Sequence, residues 1–564
     1  MMGMRGNPFW TSGAQARRAV FVCLLAAAAS VQTLTAASVP ADWSSCKVWY
    51  RHPAARWEEA FPVGNGRLGA MVFGRTGEER IALNEETYWT GGPYDPTVPG
   101  AAGRLGDIRR LIFQGESLKA HRLFGRTMMG FPVEQQKYQA LGDLLLRFPS
   151  PESGEASDYR HELDLDRAVV TTSYALDGVR FVREVFVSPL DQVVVVRIEA
   201  DRPGRVAFRA QLRGVRNQAH SNYATDYFRM DALGGDGLVL RGRSADYLGV
   251  PGRLRYEARL LAVPQGGVLT VEDDALAVSG ADAVTLFVAA ATSFVSYKDV
   301  SADPAERTAA ALAGLSGKAY PEVKEAHVGE HRRLFRRVWL DLPRTPAAGL
   351  PTDERLAAYE PASDPDLAAL AFQFGRYLLI SSSRPGTQPA NLQGLWNESA
   401  SPPWDSKYTT NINLEMNYWP AEPANLAECH RPLIDYVTSI REVSAKNTHR
   451  KYGKVRGWTV QTMNNACGVS YWKWNPPGSA WYAQHLWEHF AFGRDRAYLR
   501  ETAYPVLKEV CQFWDDHLKR RPDGTLVTYP ACPDPWLVFQ RGLYPWTPDA
   551  LSPAPLLALR LSHC

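Results

Sequence analysis

The sequence is short of several features that would assign its class at once. Charge of one sign is lacking: 63 Lys and Arg stand against 60 Asp and Glu, a formal net charge of +3. A chain built to coat nucleic acid is therefore excluded as the default. Long apolar runs are lacking too, and none reaches the roughly 18 residues that a membrane-spanning helix needs. Neither a G-x-x-x-x-G-K-[ST] phosphate loop nor a G-x-S-x-G nucleophile elbow occurs, which removes the usual signatures of P-loop nucleotide chemistry and of α/β-hydrolases. Cysteine is sparse, with 7 in 564 residues. Cys46, Cys429, Cys467, Cys511, Cys532 and Cys564 are too scattered for a zinc or redox spacing and read mostly as small buried hydrophobes. No internal repeat or low-complexity tract is evident. No cofactor and no metal are expected.

What is present is an ordinary globular composition of 45% hydrophobic and 22% charged residues, at a length that suits two or three domains. Residues 1–37 have the make-up of a secretory signal. Arg5, Arg17 and Arg18 precede the apolar Ala19 to Ala29, and Thr35-Ala36-Ala37 suits cleavage. An exported protein, periplasmic or extracellular, is expected, and Cys23 would leave with the leader. Tryptophan is concentrated: 8 of the 17 lie between Trp396 and Trp487. Such a density serves either core packing or a binding surface.

From about Cys46 to Phe294 the pattern is that of strands. Ala168 to Leu176 and Val179 to Val187 flank Asp177-Gly178, a pair suited to a type I′ hairpin turn. Val193 to Ile198 and Val284 to Ala291 are further strands, and a β-sandwich fits the spacing. Helical composition follows over Asp303 to Leu315 and Tyr320 to Val338. Pro343 to Pro361 reads as a linker. Further helices are predicted at Asp366 to Ser382, Ala427 to Ala445, Ser479 to Phe492 and Arg496 to Leu518.

Two stretches carry candidate chemistry. Gln388 to Pro420 gathers Asn391, Gln393, Asn397, Asn411, Asn413 and Asn417 with Trp396, Trp404 and Trp419. Amides both donate and accept hydrogen bonds, which suits sugar hydroxyls, while aromatic faces cover the C–H patches of a pyranose. The alternative is a loop whose amides cap turns. Tyr471 to Phe492 adds Trp481, and it contains His485, Glu488 and His489 in an H-x-x-E-H pattern. That pattern also occurs in inverted zincins, so a zinc metallopeptidase is a minor alternative.

At these residues the sequence resembles glycoside hydrolase family 95, inverting α-L-fucosidases that act chiefly on α-1,2-linked fucose. The blocks are Trp57–Gly74 with Leu83–Asp95, Gln388–Asn397 through Asn411–Leu426, and Pro476–Phe490. They run in the family's order from about Trp49 to Val527. The resemblance implies a multidomain β + α chain: an N-terminal β-sandwich at 46–298, a helical linker at 299–345, and a partial (α/α)6 catalytic barrel at 346–530. It implies that Asn411 and Asn413 hold and polarise the attacking water. Trp396, Trp404, Trp419, Trp481, His485 and Glu488 are the expected substrate-binding residues, and fucosylated oligosaccharides or plant and host glycans the expected partners.

The family's general acid is a Glu; the matching place here is Asp534, one residue early and one methylene shorter. A misplacement of about 1 Å costs on the order of a hundredfold in rate. Residues 531–564 lose the family pattern and read as an aberrant tail on a truncated copy. The general base would then fall to Glu415, Asp405 or Glu488. Hydrolysis of terminal α-L-fucosyl linkages with inversion, impaired by loss of the distal base, is the expected function. A non-catalytic fucose-binding remnant is the alternative.

Overall fold

The computed structural model describes residues 41–528 except 133–135, 150–155, 215–227, 467, 470–474 and 521. The leader 1–37, the tail 531–564, Cys467, Cys532, Cys564 and the expected acid Asp534 lie outside the described residues.

Two large antiparallel sheets come first. The nine-stranded sheet runs, in spatial order, Lys47–Tyr50, Ser157–Asp164, Val169–Leu176, Val179–Ser188, Val193–Ala200, Ala283–Thr292, Arg255–Gln265, Gly237–Arg243 and Phe228–Leu233. The seven-stranded sheet runs Val268–Glu272, Ala275–Ala281, Val206–Arg213, Gly142–Arg147, Glu78–Glu85, Leu68–Val72 and Phe61–Gly64. The predicted hairpin is present, with Val179 opposite Leu176 and positive φ at both Asp177 (51°) and Gly178 (69°), as a type I′ turn requires.

The central strands Val193–Ala200 and Ala283–Thr292 read as continuous apolar runs because both of their faces are covered. Every residue of Ala283–Thr292 is buried. One face meets the other sheet. The other face meets α3 and α4: Leu315, just after α3, with Val323 and Val328 of α4, joins Val169, Phe186, Val195 and Phe287 in one cluster.

The helices are α1 (Ala101–Phe113) and α2 (Ser117–Thr127), then α3 (Pro304–Ala313), α4 (Tyr320–Phe335), α5 (Thr352–Ala357), α6 (Asp366–Ser382), α7 (Asn413–Tyr418), α8 (Ala427–Ser439), α9 (Arg441–Tyr452), α10 (Gly478–Gly493) and α11 (Tyr504–His517). Helix α3 starts where Asp303 accepts from the Ala305 N–H at 2.9 Å and Pro304 takes the first helical position. Helix α4 buries Val323, His327, His331 and Leu334 along one face. Nε2 of His327 and of His331 meets the carbonyls of Ala168 and Leu165 at 3.1 and 2.8 Å.

Four sequence expectations are corrected. The pair α1–α2 interrupts a region read as mostly strand, between Glu78–Glu85 and Gly142–Arg147, which pair with each other. The stretch read as a linker contains α5, whose Arg355 is buried and paired with Asp364 at 2.8 Å. The helix expected over Ala427 to Ala445 is two helices. Thr438 and Ser439 turn their hydroxyls onto the carbonyls of Ile434 and Tyr436 at 2.9 and 2.7 Å, competing with the helical ladder just before the break at Ile440. The helix expected from Arg496 is divided by a π turn at Leu499–Ala503 before α11.

The sheets and helices meet through the first sequence block. Asn65 Oδ1 accepts from the N–H groups of Arg67 and Leu68 at 3.0 and 2.8 Å, closing the turn after Phe61–Gly64. Gly66 stands there at φ +89°, with space for a Cβ taken by Arg384 at 2.9 Å. Tyr377 on α6 donates to the Pro62 carbonyl at 2.6 Å.

Candidate active site

The N-x-N segment is held by its neighbours on both sides. Tyr408–Thr409 pairs with Met463–Asn465, and the Thr410 hydroxyl donates to the Gln461 carbonyl at 2.6 Å. Asn411 and Ile412 form the turn into α7, and Asn413 is its first residue. Along α7, Leu414, Glu415 and Tyr418 face inwards while Asn413 and Met416 face out. Tyr418 is pinned by Ser383 and by the Ala390 N–H, each at 2.8 Å. On the other flank α10 packs against α7, and Asn475 donates to the Thr410 carbonyl at 3.2 Å.

Polar atoms without partners occur on these elements. Asn411 Oδ1 and Ser479 Oγ are buried with no hydrogen bond, and neither carboxylate oxygen of Glu415 bonds to another residue. Burial with no compensating cation pushes the Glu415 carboxyl up to about 8. The protonated form is thereby favoured at pH 7. Asp405, the second carboxylate considered, is occupied: Lys407 Nζ lies 2.7 Å from Oδ2 and Lys137 Nζ 3.5 Å from Oδ1. Glu488 is exposed on α10.

The tryptophans divide between two environments. Trp396 is buried among Ala54, Met71, Phe73, Ala82 and Leu395, and its indole N–H donates to the Val63 carbonyl at 2.9 Å. It locks sheet to helix and does not line a surface, which corrects its expected role against sugar. Trp404 and Trp419 are 45% and 51% exposed. Trp481 is half-buried on α10. The turn presenting Trp404 is strained: Trp404, Asp405 and Ser406 have φ of 54°, 58° and 50°. Left-handed backbone costs a non-glycine residue about 1–2 kcal/mol. The Tyr138 N–H bond to the Asp405 carbonyl, at 3.1 Å, helps hold it.

The H-x-x-E-H side chains do not converge. His485 is buried, and its Nδ1 lies 2.9 Å from Nε2 of His430. His489 Nδ1 instead meets Glu422 Oε1 at 2.6 Å, and the same oxygen lies 2.9 Å from Nδ1 of His430. Burial, aided by neighbouring His430, pushes the His485 imidazole down to about 3, so it is neutral. Burial alone would raise the Glu422 carboxyl. Hydrogen bonds from His430 and His489 outweigh it and hold the carboxyl below its usual value. The peptidase ligand set is thus not formed. Glu422 and His430 went unnoticed in sequence because they lie more than 50 residues from His489, with no motif joining them.

Comparison with known proteins agrees with this layout. Residues 319–534 match the glycosyl hydrolase family 95 catalytic domain, and residues 48–297 the glycosyl hydrolase family 65 N-terminal domain. Alpha-L-fucosidase 2 of Arabidopsis thaliana is 33% identical, over 86% of this chain and 60% of that protein. Probable alpha-fucosidase A of Aspergillus niger is 34% identical, over 84% of this chain and 61% of that one. The chain spans about three fifths of the length of these curated relatives. A putative kojibiose phosphorylase from human microbiome shares the fold at TM-score 0.55 and 9% identity, over 86% of this chain and 61% of that chain. A large β-sheet domain followed by a helical one, with the match to the glycosyl hydrolase family 95 catalytic domain over the helices, makes the chain similar to the α-fucosidases of that family.

Proposed function

We propose that the protein acts on terminal α-L-fucosyl groups of glycans, chiefly α-1,2-linked, with inversion at the anomeric carbon. The observation that carries this reading is the N-x-N segment at the start of α7, within the family 95 match and between exposed Trp404 and Trp419 in sequence. In the inverting scheme an acid protonates the leaving oxygen while a base activates water across the ring, the two carboxyls about 6.5–9.5 Å apart. Asn411 and Asn413 position that water; neutral amides accept and donate hydrogen bonds but take no proton at pH 7. Asp534 is the residue assigned to the acid. Of the three carboxylates considered for the base, Glu415 is biased towards its protonated form, Asp405 is paired to two lysines and Glu488 is exposed. Export through the 1–37 leader is part of the same proposal, since it would bring the protein to extracellular or periplasmic glycans.

A second reading, fucose binding without turnover, is favoured by the pairing of Asp405 with two lysines and by the burial that keeps Glu415 protonated. Hydrolysis of 2′-fucosyllactose followed by proton NMR separates the two. Early appearance of β-L-fucose supports the inverting hydrolase. Early α-L-fucose contradicts inversion. An absence of product alongside a measurable fucose isotherm supports the binding reading, and absence of both overturns the proposal.

A further inference from the structure

We infer that Glu422, His430 and His489 form a site for a divalent cation of the zinc class. Glu422 Oε1, His430 Nδ1 and His489 Nδ1 lie within 4.8 Å of one another. They come from three places, the turn after α7, helix α8 and the C-terminal half of α10. Two imidazole nitrogens and one carboxylate oxygen are a donor set that borderline metals accept, with water in the fourth position. Bonds of about 2.0–2.2 Å in a tetrahedron set donors roughly 3.2–3.5 Å apart. The observed 2.6 and 2.9 Å separations from Oε1 would open by about 0.3–0.9 Å, and the two imidazole nitrogens, within 4.8 Å of each other, would settle to the same spacing.

His485 supports the site from behind. Its Nδ1 lies 2.9 Å from His430 Nε2, with the rings near perpendicular at 83°. When His430 donates its Nε2 proton to His485, its Nδ1 lone pair is free for a cation; outer partners of this kind fix tautomer and ring orientation. The site also has a wet side and a dry side: the His489 side chain is 18% exposed and that of His430 is 1%. The competing state has both Nδ1–H groups donating to Glu422 with no cation.

The test strips the purified 564-residue chain with chelator, dialyses it against zinc and desalts it before measuring metal content. About one zinc per chain is expected. His489→Ala and Glu422→Gln should retain less than about a tenth of it, and His485→Gln should bind roughly 10–100-fold more weakly. Glu488→Gln should retain the full amount. Nitrogen NMR of the zinc-loaded protein provides a readout independent of any variant's folding, with the Nδ1 protons of His430 and His489 replaced by metal. Zinc-free wild type, undiminished zinc in a folded His489→Ala, loss of zinc in Glu488→Gln, or retained Nδ1 protons would each overturn the site.

Discussion

Glu79 in the sheets and Glu415 in the helices are both shut away from solvent, and they are treated in opposite ways. Glu79 Oε1 accepts the N–H groups of Phe73 and Gly74, both at 3.0 Å, and its other oxygen meets the buried Arg183 guanidinium. Glu415 bonds to no other residue and has no cation beside it. In the sheets the buried carboxyl has a cation beside it, although Arg183 Nε has no hydrogen-bond partner and burial still pushes the Glu79 carboxyl up. The helical region keeps buried polar atoms without protein partners, at Asn411, Glu415 and Ser479. Buried polar groups without protein partners are uncommon and call for a reason.

The largest effect should come from breaking the sheet pair. Glu79→Ala leaves Arg183 charged and buried, and urea denaturation should show a loss of about 3–5 kcal/mol. The double variant Glu79→Leu with Arg183→Met should recover much of it; no recovery would mean the two do not act as a pair.

The helical counterpart should respond to pH instead. The Glu415 carboxyl stays protonated in the fold up to about pH 8, whereas the unfolded chain releases that proton near 4.5. Its stabilising effect is full below pH 4.5 and is lost as pH rises towards 8. Glu415→Gln should match wild type near pH 5 and exceed its stability on the order of 3 kcal/mol at pH 8. A constant difference across that range would refute the unpaired state.

The sheets should show the opposite slope. Burial holds His161 neutral in the fold down to about pH 3, while the unfolded chain takes a proton near 6.5. Wild type should therefore lose stability as pH falls below 6.5, and His161→Gln should remove roughly 2 kcal/mol of that loss between pH 6.5 and 4.5. Thermal melts at the two values check it. The smallest effect on stability belongs to Trp404→Ala, within about 0.5 kcal/mol. Its effect on fucose affinity should be larger, roughly three- to tenfold, equivalent to about 0.5–1.5 kcal/mol of aromatic contact.

How far the sequence was legible also differs between the two regions. Periodicity located the sheets' hairpin and the limits of α6, Asp366–Ser382, because turn chemistry and burial on one face act locally. It missed α1 and α2, with their short apolar stripe of Leu105 and Ile108 inside a strand-rich region. Around the site the family resemblance, not periodicity, singled out the N-x-N segment, and Trp396 was misjudged because tryptophan density alone does not separate a core ring from an exposed one. The convergence of Glu422, His430 and His489 depends on tertiary packing of α8 with α10, which no local pattern announces.

The central claim is that the start of α7 recognises fucose. Isothermal calorimetry of L-fucose against wild type and Asn413→Ala tests it most directly, because Asn413 is exposed and its loss should leave the fold intact. The account predicts a saturable isotherm for wild type and at least a tenfold weaker one for the variant, about 1.4 kcal/mol. Equal affinity in the two proteins, or no binding by wild type, would contradict it.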